Sequence, residues 1–170
     1  MLGKYATIIV NQQFVFWVGD VMSFLDTSFL ANDEIQLRLY KTVEANAEKG
    51  FVQAYHYNIC DKLGNEMGRC CLRAGHNEKT YYGGNIGYEV YEAYRGHHYA
   101  AKACLLLFEL ARKLKMDYVI ITCTPDNIAS RKTCEYVECQ FVDTVELPKD
   151  NDMRVSAGKT EVCIYRIGLN

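Results

Sequence analysis

Proline is nearly absent from this chain: Pro125 and Pro148 are the only two in 170 residues, and no Ser- or Gly-rich tract accompanies them. An internal linker is therefore not expected, and residues 1–170 read as one domain, long enough for a sizeable core. Long apolar runs are missing too. The run ending at Val10 is about five residues, too short for a signal-peptide core or a membrane span, so a cytoplasmic location is expected. No C-x-x-C pair occurs among the eight cysteines, and Cys60, Cys70, Cys71 and His76 follow no zinc-site spacing, so no metal is expected. In a cytoplasmic chain such thiols stay reduced, and in strands and helices they pack as small hydrophobes. Charge of one sign is lacking as well. Nineteen Lys and Arg against 21 Asp and Glu give −2 and a pI of about 6.1, which points to neither nucleic acid nor a membrane surface as partner. His97, His98, Arg112, Lys113 and Lys115 gather around one helix and read as a solvated face.

What remains is an ordinary soluble composition, 49% hydrophobic and 24% charged, with 13 tyrosines. Its most informative stretch begins at residue 86. Residues 86–91 (Ile-Gly-Tyr-Glu-Val-Tyr) read as a short buried strand. Residues 95–100 read as a turn opening a helix in which Ala103, Leu106, Leu107, Leu110 and Leu114 recur at helical spacing. Unpaired N–H groups at such a helix start, with the positive end of its dipole, suit an anion such as phosphate, and Arg95 adds a charge. Downstream, residues 118–124 read as a strand, Pro125-Asp126-Asn127 as a turn with capping residues, and residues 128–138 as a helix.

Arg95-Gly96-His97-His98-Tyr99-Ala100 resembles the Arg/Gln-x-x-Gly-x-Gly/Ala signature of the GNAT superfamily of acyl-CoA N-acyltransferases, with His98 where the middle Gly is usual. Asn127-x-x-Ser130-x-x-x-Cys134-x-x-x-Glu138 is similar to the family's Asn-x-x-Ser-x-x-x-Tyr-x-x-x-Gly segment, with Cys134 at the Tyr position and Glu138 at the Gly position. The subgroup it most resembles is the ribosomal-protein-alanine N-acetyltransferase type. The resemblance covers roughly residues 83–146 and implies an α/β (α+β) GNAT fold: a mixed, twisted sheet of about six to seven strands, its central strands splayed, flanked by about four helices. It implies acetyl-CoA as cofactor, bound by the backbone of Val90 and Tyr91, by Arg95, Gly96, His97, His98, Tyr99 and Ala100, and by Asn127 with Ser130. His97 and His98 are expected to be neutral partners of the phosphates.

The remaining elements follow from pattern. Residues 5–10 read as a strand, and residues 21–30 and 32–47 as helices whose buried stripe is Leu25, Phe29, Ile35, Leu39 and Val43. Residues 51–60 and 66–74 read as strands joined by the turn Asp61-Lys62-Leu63-Gly64-Asn65, residues 75–84 as a polar loop, residues 141–146 as a strand, 147–159 as a polar loop and 160–167 as a last strand.

Transfer from a thioester to an amine needs a base, an oxyanion donor and a proton for the thiolate. In the family that transfer is direct, within a ternary complex. Glu89 is the candidate base and otherwise a surface strand carboxylate. Cys134 is a candidate donor, a candidate nucleophile or core filler, and Ser130 an alternative donor. Tyr82 and Tyr88 orient the acceptor or pack. The expected activity is an N-acetyltransferase acting on a protein N-terminus or a small amine, with a homodimer admissible. The rivals are a non-catalytic acyl-CoA-binding sensor of the same fold and a partner-docking domain with a tyrosine-rich surface.

Overall fold

The computed structural model describes residues 17–18, 21–22 and 24–169. The strand expected at residues 5–10 lies outside them. Two-residue strands β1 (Trp17–Val18) and β2 (Val21–Met22) pair with each other. The main sheet has seven strands in the order β3-β4-β5-β6-β7-β9-β8. These are β3 (Ile35–Val43), β4 (Gln53–Asp61), β5 (Glu66–Ala74), β6 (Ile86–Val90), β7 (Tyr118–Cys123), β8 (Gln140–Glu146) and β9 (Glu161–Gly168). Every neighbour pair is antiparallel except β6 with β7, which is parallel. The four helices are α1 (Glu78–Gly83), α2 (Tyr99–Lys113), α3 (Ile128–Tyr136) and α4 (Asp152–Ala157). A mixed sheet with four helices is the architecture the resemblance implied.

Two of those helices are not the ones expected. Among the described residues, 21–30 and 32–47 hold no helix; β3 occupies 35–43. Residues four apart share a face in a strand as well as in a helix, so Ile35, Leu39 and Val43 could not separate the two periods. Leu37 could have done so. It is buried beside Ile35, as strand alternation requires, whereas Leu39 is 44% exposed. The polar loops at 75–84 and 147–159 instead contain α1 and α4. Asn77 accepts from the Thr80 N–H while Thr80 Oγ1 accepts from the Asn77 N–H, a reciprocal cap, and Asn151 accepts from the Met153 N–H. Caps of this kind start helices too short to show an apolar period.

The two sheet faces are covered differently. Tyr55, Tyr57, Ile59, Leu72, Ile86 and Ile121 pack with α2 and with Cys134 of α3 in the main core. The alternate residues Ile120, Val162 and Ile164 form a smaller cluster with Leu147, joined by Tyr82 of α1 and Met153 of α4. Thus α2 and α3 lie on one face, α1 and α4 on the other. All eight cysteines are buried and unpaired.

The feature that positions a site is the seam between β6 and β7. They pair at a single register point, Ile86 with Ile121, and part beyond it. Asn85, fully buried, pins the closed end. Its Nδ2 donates to the carbonyls of Arg73 (3.0 Å) and Gly75 (2.7 Å), and its Oδ1 accepts from the Ile120 N–H (2.9 Å). Its side chain thus takes up backbone groups of the two strands flanking β6. Where the strands part, a cleft opens.

Gly68 of β5 shapes the open end. It pairs with Val90, and a Cβ there would sit 2.2 Å from the Glu89 carbonyl oxygen and 3.0 Å from Val90 Cα. Gly68→Ala must displace the end of β6, at a cost of about 2 kcal/mol, and is expected to weaken acetyl-CoA binding at least tenfold by calorimetric titration. In Gly87→Ala the new Cβ meets only Cys71 Sγ at 3.3 Å and Arg73 Nη1 at 3.8 Å, so a far smaller change is expected there.

Candidate functional site

The cleft between β6 and β7 has a volume of about 730 Å³ and is lined by residues of both sheet faces. Its α2/α3 side is lined by Tyr88, His98, Asn127 and Ser130, and its α1/α4 side by Arg73, Gly83, Glu89 and Met153. Of the residues singled out in the sequence, Glu89, Val90, Arg95, Gly96, His98, Tyr99, Ala100, Asn127 and Ser130 line it. Tyr91, His97 and Cys134 do not.

Each exception has a local cause. Tyr91 donates its N–H to the Met67 carbonyl and accepts from the Tyr94 N–H, so both its main-chain groups are engaged within the protein. His97 lies against Tyr99 instead, ring centroids 5.6 Å apart. Cys134 faces the core with no exposed surface, and burial pushes its thiol well above the usual range. A thiol with so little thiolate is no nucleophile, and one turned into the core does not reach the cleft to donate a proton. The expectation that the eight cysteines pack as small hydrophobes describes Cys134 better than either chemical role. A thiol reagent at pH 8 is accordingly expected to label none of the eight in the folded protein and all of them after denaturation. Rapid labelling of one thiol in the native state would contradict that burial.

The start of α2 has the features of an anion site. Asn77, Asn127 and Asn151 cap α1, α3 and α4 with their side chains, but His98 makes no side-chain cap on α2. Among the described residues, the N–H groups of Gly96, His97, His98, Tyr99, Ala100 and Ala101 donate to no protein acceptor. A row of unpartnered amides at the positive end of a 15-residue helix is the arrangement that receives phosphate. His98, where the signature has Gly, adopts a left-handed backbone (φ 57°), as does Glu138 (φ 60°), the other residue at a usual Gly position. Both sites thus keep the backbone that Gly would favour, at about 1 kcal/mol each. His98 is further held by stacking on Tyr136, centroids 4.6 Å apart. Arg95 Nε donates to the Val90 carbonyl at 3.1 Å, which ties the turn back to β6 at the rim of the cleft that Arg95 lines.

At the centre, Asn127 Oδ1 accepts from the Ser130 N–H at 3.0 Å, so its Nδ2 is the group left for a ligand. Ser130 Oγ lies 2.8 Å from the Tyr88 hydroxyl. Burial holds Tyr88 well above the normal phenol range, so it stays protonated. The sequence offers Tyr88 as an acceptor contact or a packing residue and does not reveal this pair. Nor does it reveal Arg73, Lys132 and Lys159, three cations that line the cleft from β5, α3 and the residues before β9. No short motif marks them; only the folded sheet brings them together. Among the described residues, no cluster of His, Cys, Asp and Glu is arranged to hold a metal, and no helix is long and apolar enough to cross a membrane.

No curated protein matches the chain in sequence. Solved structures do match in fold. The microcin C7 self-immunity acetyltransferase MccE, in complex with acetyl-CoA and AMP, superposes with a TM-score of 0.54 at 20% identity over 68% of this chain and 61% of that one. The ribosomal L7/L12 α-N-protein acetyltransferase RimL, in complex with coenzyme A, gives 0.52 and 19% over 71% and 64%. A ribosomal-protein-serine acetyltransferase of Vibrio cholerae gives 0.53 and 15% over 72% and 67%. The chain thus spans about three-fifths of the length of MccE and RimL. At such identities these structures speak to the fold alone. The model of the acetyltransferase (GNAT) domain, however, matches residues 12–140, well over half of the chain and including the cleft turn and Asn127. The chain belongs to the GNAT acetyltransferase family.

Proposed function

We propose that this protein is an N-acetyltransferase that moves an acetyl group from acetyl-CoA to a primary amine in a ternary complex. The observation that carries the reading is the convergence, in one cleft, of the unpartnered amides of α2 with the parted strands β6 and β7. The residues fit coenzyme A: the first turn of α2 with Arg95 would hold its pyrophosphate, and Asn127 Nδ2 with the parted edge of β6 its amide-bearing arm. When bound, the cofactor supplies an already activated thioester. Glu89, exposed on the opposite side of the seam, takes the amine's proton, directly or through one water. Ser130 Oγ, held by the Tyr88 hydroxyl beside it, donates a hydrogen bond to the leaving sulfur, which takes its proton from water entering the open cleft. Tyr91 and Cys134 leave the proposed set, for the reasons their surroundings give.

The presence of RimL, a ribosomal α-N-protein acetyltransferase, and of the Vibrio ribosomal-protein-serine acetyltransferase among the structural neighbours supports a protein N-terminus or a small amine as the acceptor. A cytoplasmic location goes with that reading. The burial of Cys134 at the family's Tyr position favours one alternative, a sensor that binds acyl-CoA and leaves it intact. Coenzyme A thiol release, measured over a panel of amines and terminal peptides, separates the two. Amine-dependent release is expected; binding without release across the whole panel would establish the sensor.

A further inference from the structure

On the α1/α4 face the cleft continues into a second cavity of about 480 Å³, and the two share Arg73, Gly83 and Met153. This volume is that of a small-molecule site or the end of a peptide. Its charge is not balanced. Lys79 and Asp152 face each other across 3.7 Å, both exposed, and largely cancel. Arg73 has no carboxylate partner among the described residues. Its Nη1 donates to the carbonyls of Gly83 (3.3 Å) and Gly84 (3.1 Å), neutral acceptors that hold the guanidinium without neutralising it, while Nη2 and Nε make no hydrogen bond among the described residues. The carbonyls are themselves fixed at the end of the capped helix α1. Burial depresses the His56 pKa, and the charges of Lys41 and Arg73 lower it further, as a net positive field requires.

Arg73 also lies at a defined place relative to Glu89. Gly87 stands between them, two residues from Glu89 on the same face, and a Cβ on Gly87 would be 3.8 Å from Arg73 Nη1. Residues two apart in a strand are ~7 Å apart. Glu89 and the unneutralised Arg73 guanidinium therefore stand on one face to either side of Gly87, which contributes no side chain between them.

We infer that the acceptor is an amine that also bears an anionic group, carboxylate or phosphate, with the anion on Arg73 and the amine at Glu89. This rests on the acetyltransferase reading and adds the substrate class. A fork-shaped guanidinium with free donors pairs with either anion. Cationic polyamines are disfavoured, since their second charge would meet Arg73.

The test compares matched acceptors: 4-aminobutyrate against its amide, phosphoethanolamine against ethanolamine, and spermidine as the cationic probe. Thiol release is measured with each, and calorimetric binding of each probe is measured in the presence of coenzyme A. The anionic member of at least one pair should exceed its neutral partner tenfold or more in kcat/KM, and which pair does so identifies carboxylate or phosphate. R73Q should erase that gap, and R73K should retain part of it, which shows that charge rather than folding is at issue. Equal turnover of both members, or spermidine as the best acceptor, overturns the inference and leaves the transferase standing. If no amine releases thiol, the transferase reading fails instead, and binding decides this point. Tenfold tighter binding of an anionic probe, lost in R73Q, upholds the anion site, and equal or absent binding overturns it.

Discussion

Glu89→Gln lowers kcat/KM for acetyl transfer about 100-fold or more, the usual contribution of a positioned general base, and leaves acetyl-CoA affinity within twofold. The split follows from the placement of the side chain. β6 runs through the seam, so Tyr88 turns toward α2 and α3, whereas Glu89 turns to the face covered by α1 and α4. Removing its charge without changing its shape strips the acceptor side of a proton acceptor and leaves the α2 amides and Asn127 as they were. Initial rates of thiol release, with calorimetric titration of acetyl-CoA on the same preparation, check both halves. A variant that keeps wild-type rates would return Glu89 to the role of a surface strand carboxylate. Loss of cofactor affinity together with rate would mean that its contribution is to the shape of β6.

Asn85→Ala is the second large effect, on stability. The amide side chain, fully buried, makes three hydrogen bonds to backbone groups of β5, of Gly75 after it, and of β7. Truncation orphans the Ile120 N–H and two carbonyls at once. Each unmet buried group costs about 1–3 kcal/mol, so a total of about 3 kcal/mol is expected. For a chain of this size that lowers Tm by roughly 10 °C. Denaturant and thermal unfolding measure it. Because Asn85 closes the seam that the cleft depends on, residual folded protein should also bind acetyl-CoA less tightly. A loss under 1 kcal/mol would contradict the view that one side chain joins β5 to β7 across β6.

The parts of the fold that were legible in the sequence are those with long or paired signals. The hairpin of β4 and β5 carries alternating strands around Asp61-Lys62-Leu63-Gly64-Asn65, and Gly64 takes the positive φ the turn needs (94°). α2 shows an apolar stripe over 15 residues, and all but Leu114 of the positions read as its buried face are buried. β3 was misread because an interval of four fits both periods, and α1 and α4 were missed because six residues make less than two turns. The cleft wall beside α2 and α3 was legible because it comes from two short contiguous segments. Of the opposite wall only Glu89 was, because it lies in the first of those segments. Arg73 comes from another strand and Lys159 precedes β9, and only the sheet order brings them to the same cleft. Cys134 was ambiguous for a different reason: motif position placed it at the chemistry, while its orientation on α3, which sequence does not state, turns it into the core.

The most direct measurement is a calorimetric titration of acetyl-CoA into the purified protein, repeated with Asn127→Ala and Arg95→Ala. The proposed function predicts saturable binding at one site per chain, weakened several-fold in each variant. Absence of binding, or binding that both variants leave untouched, would contradict a coenzyme A site between β6 and β7.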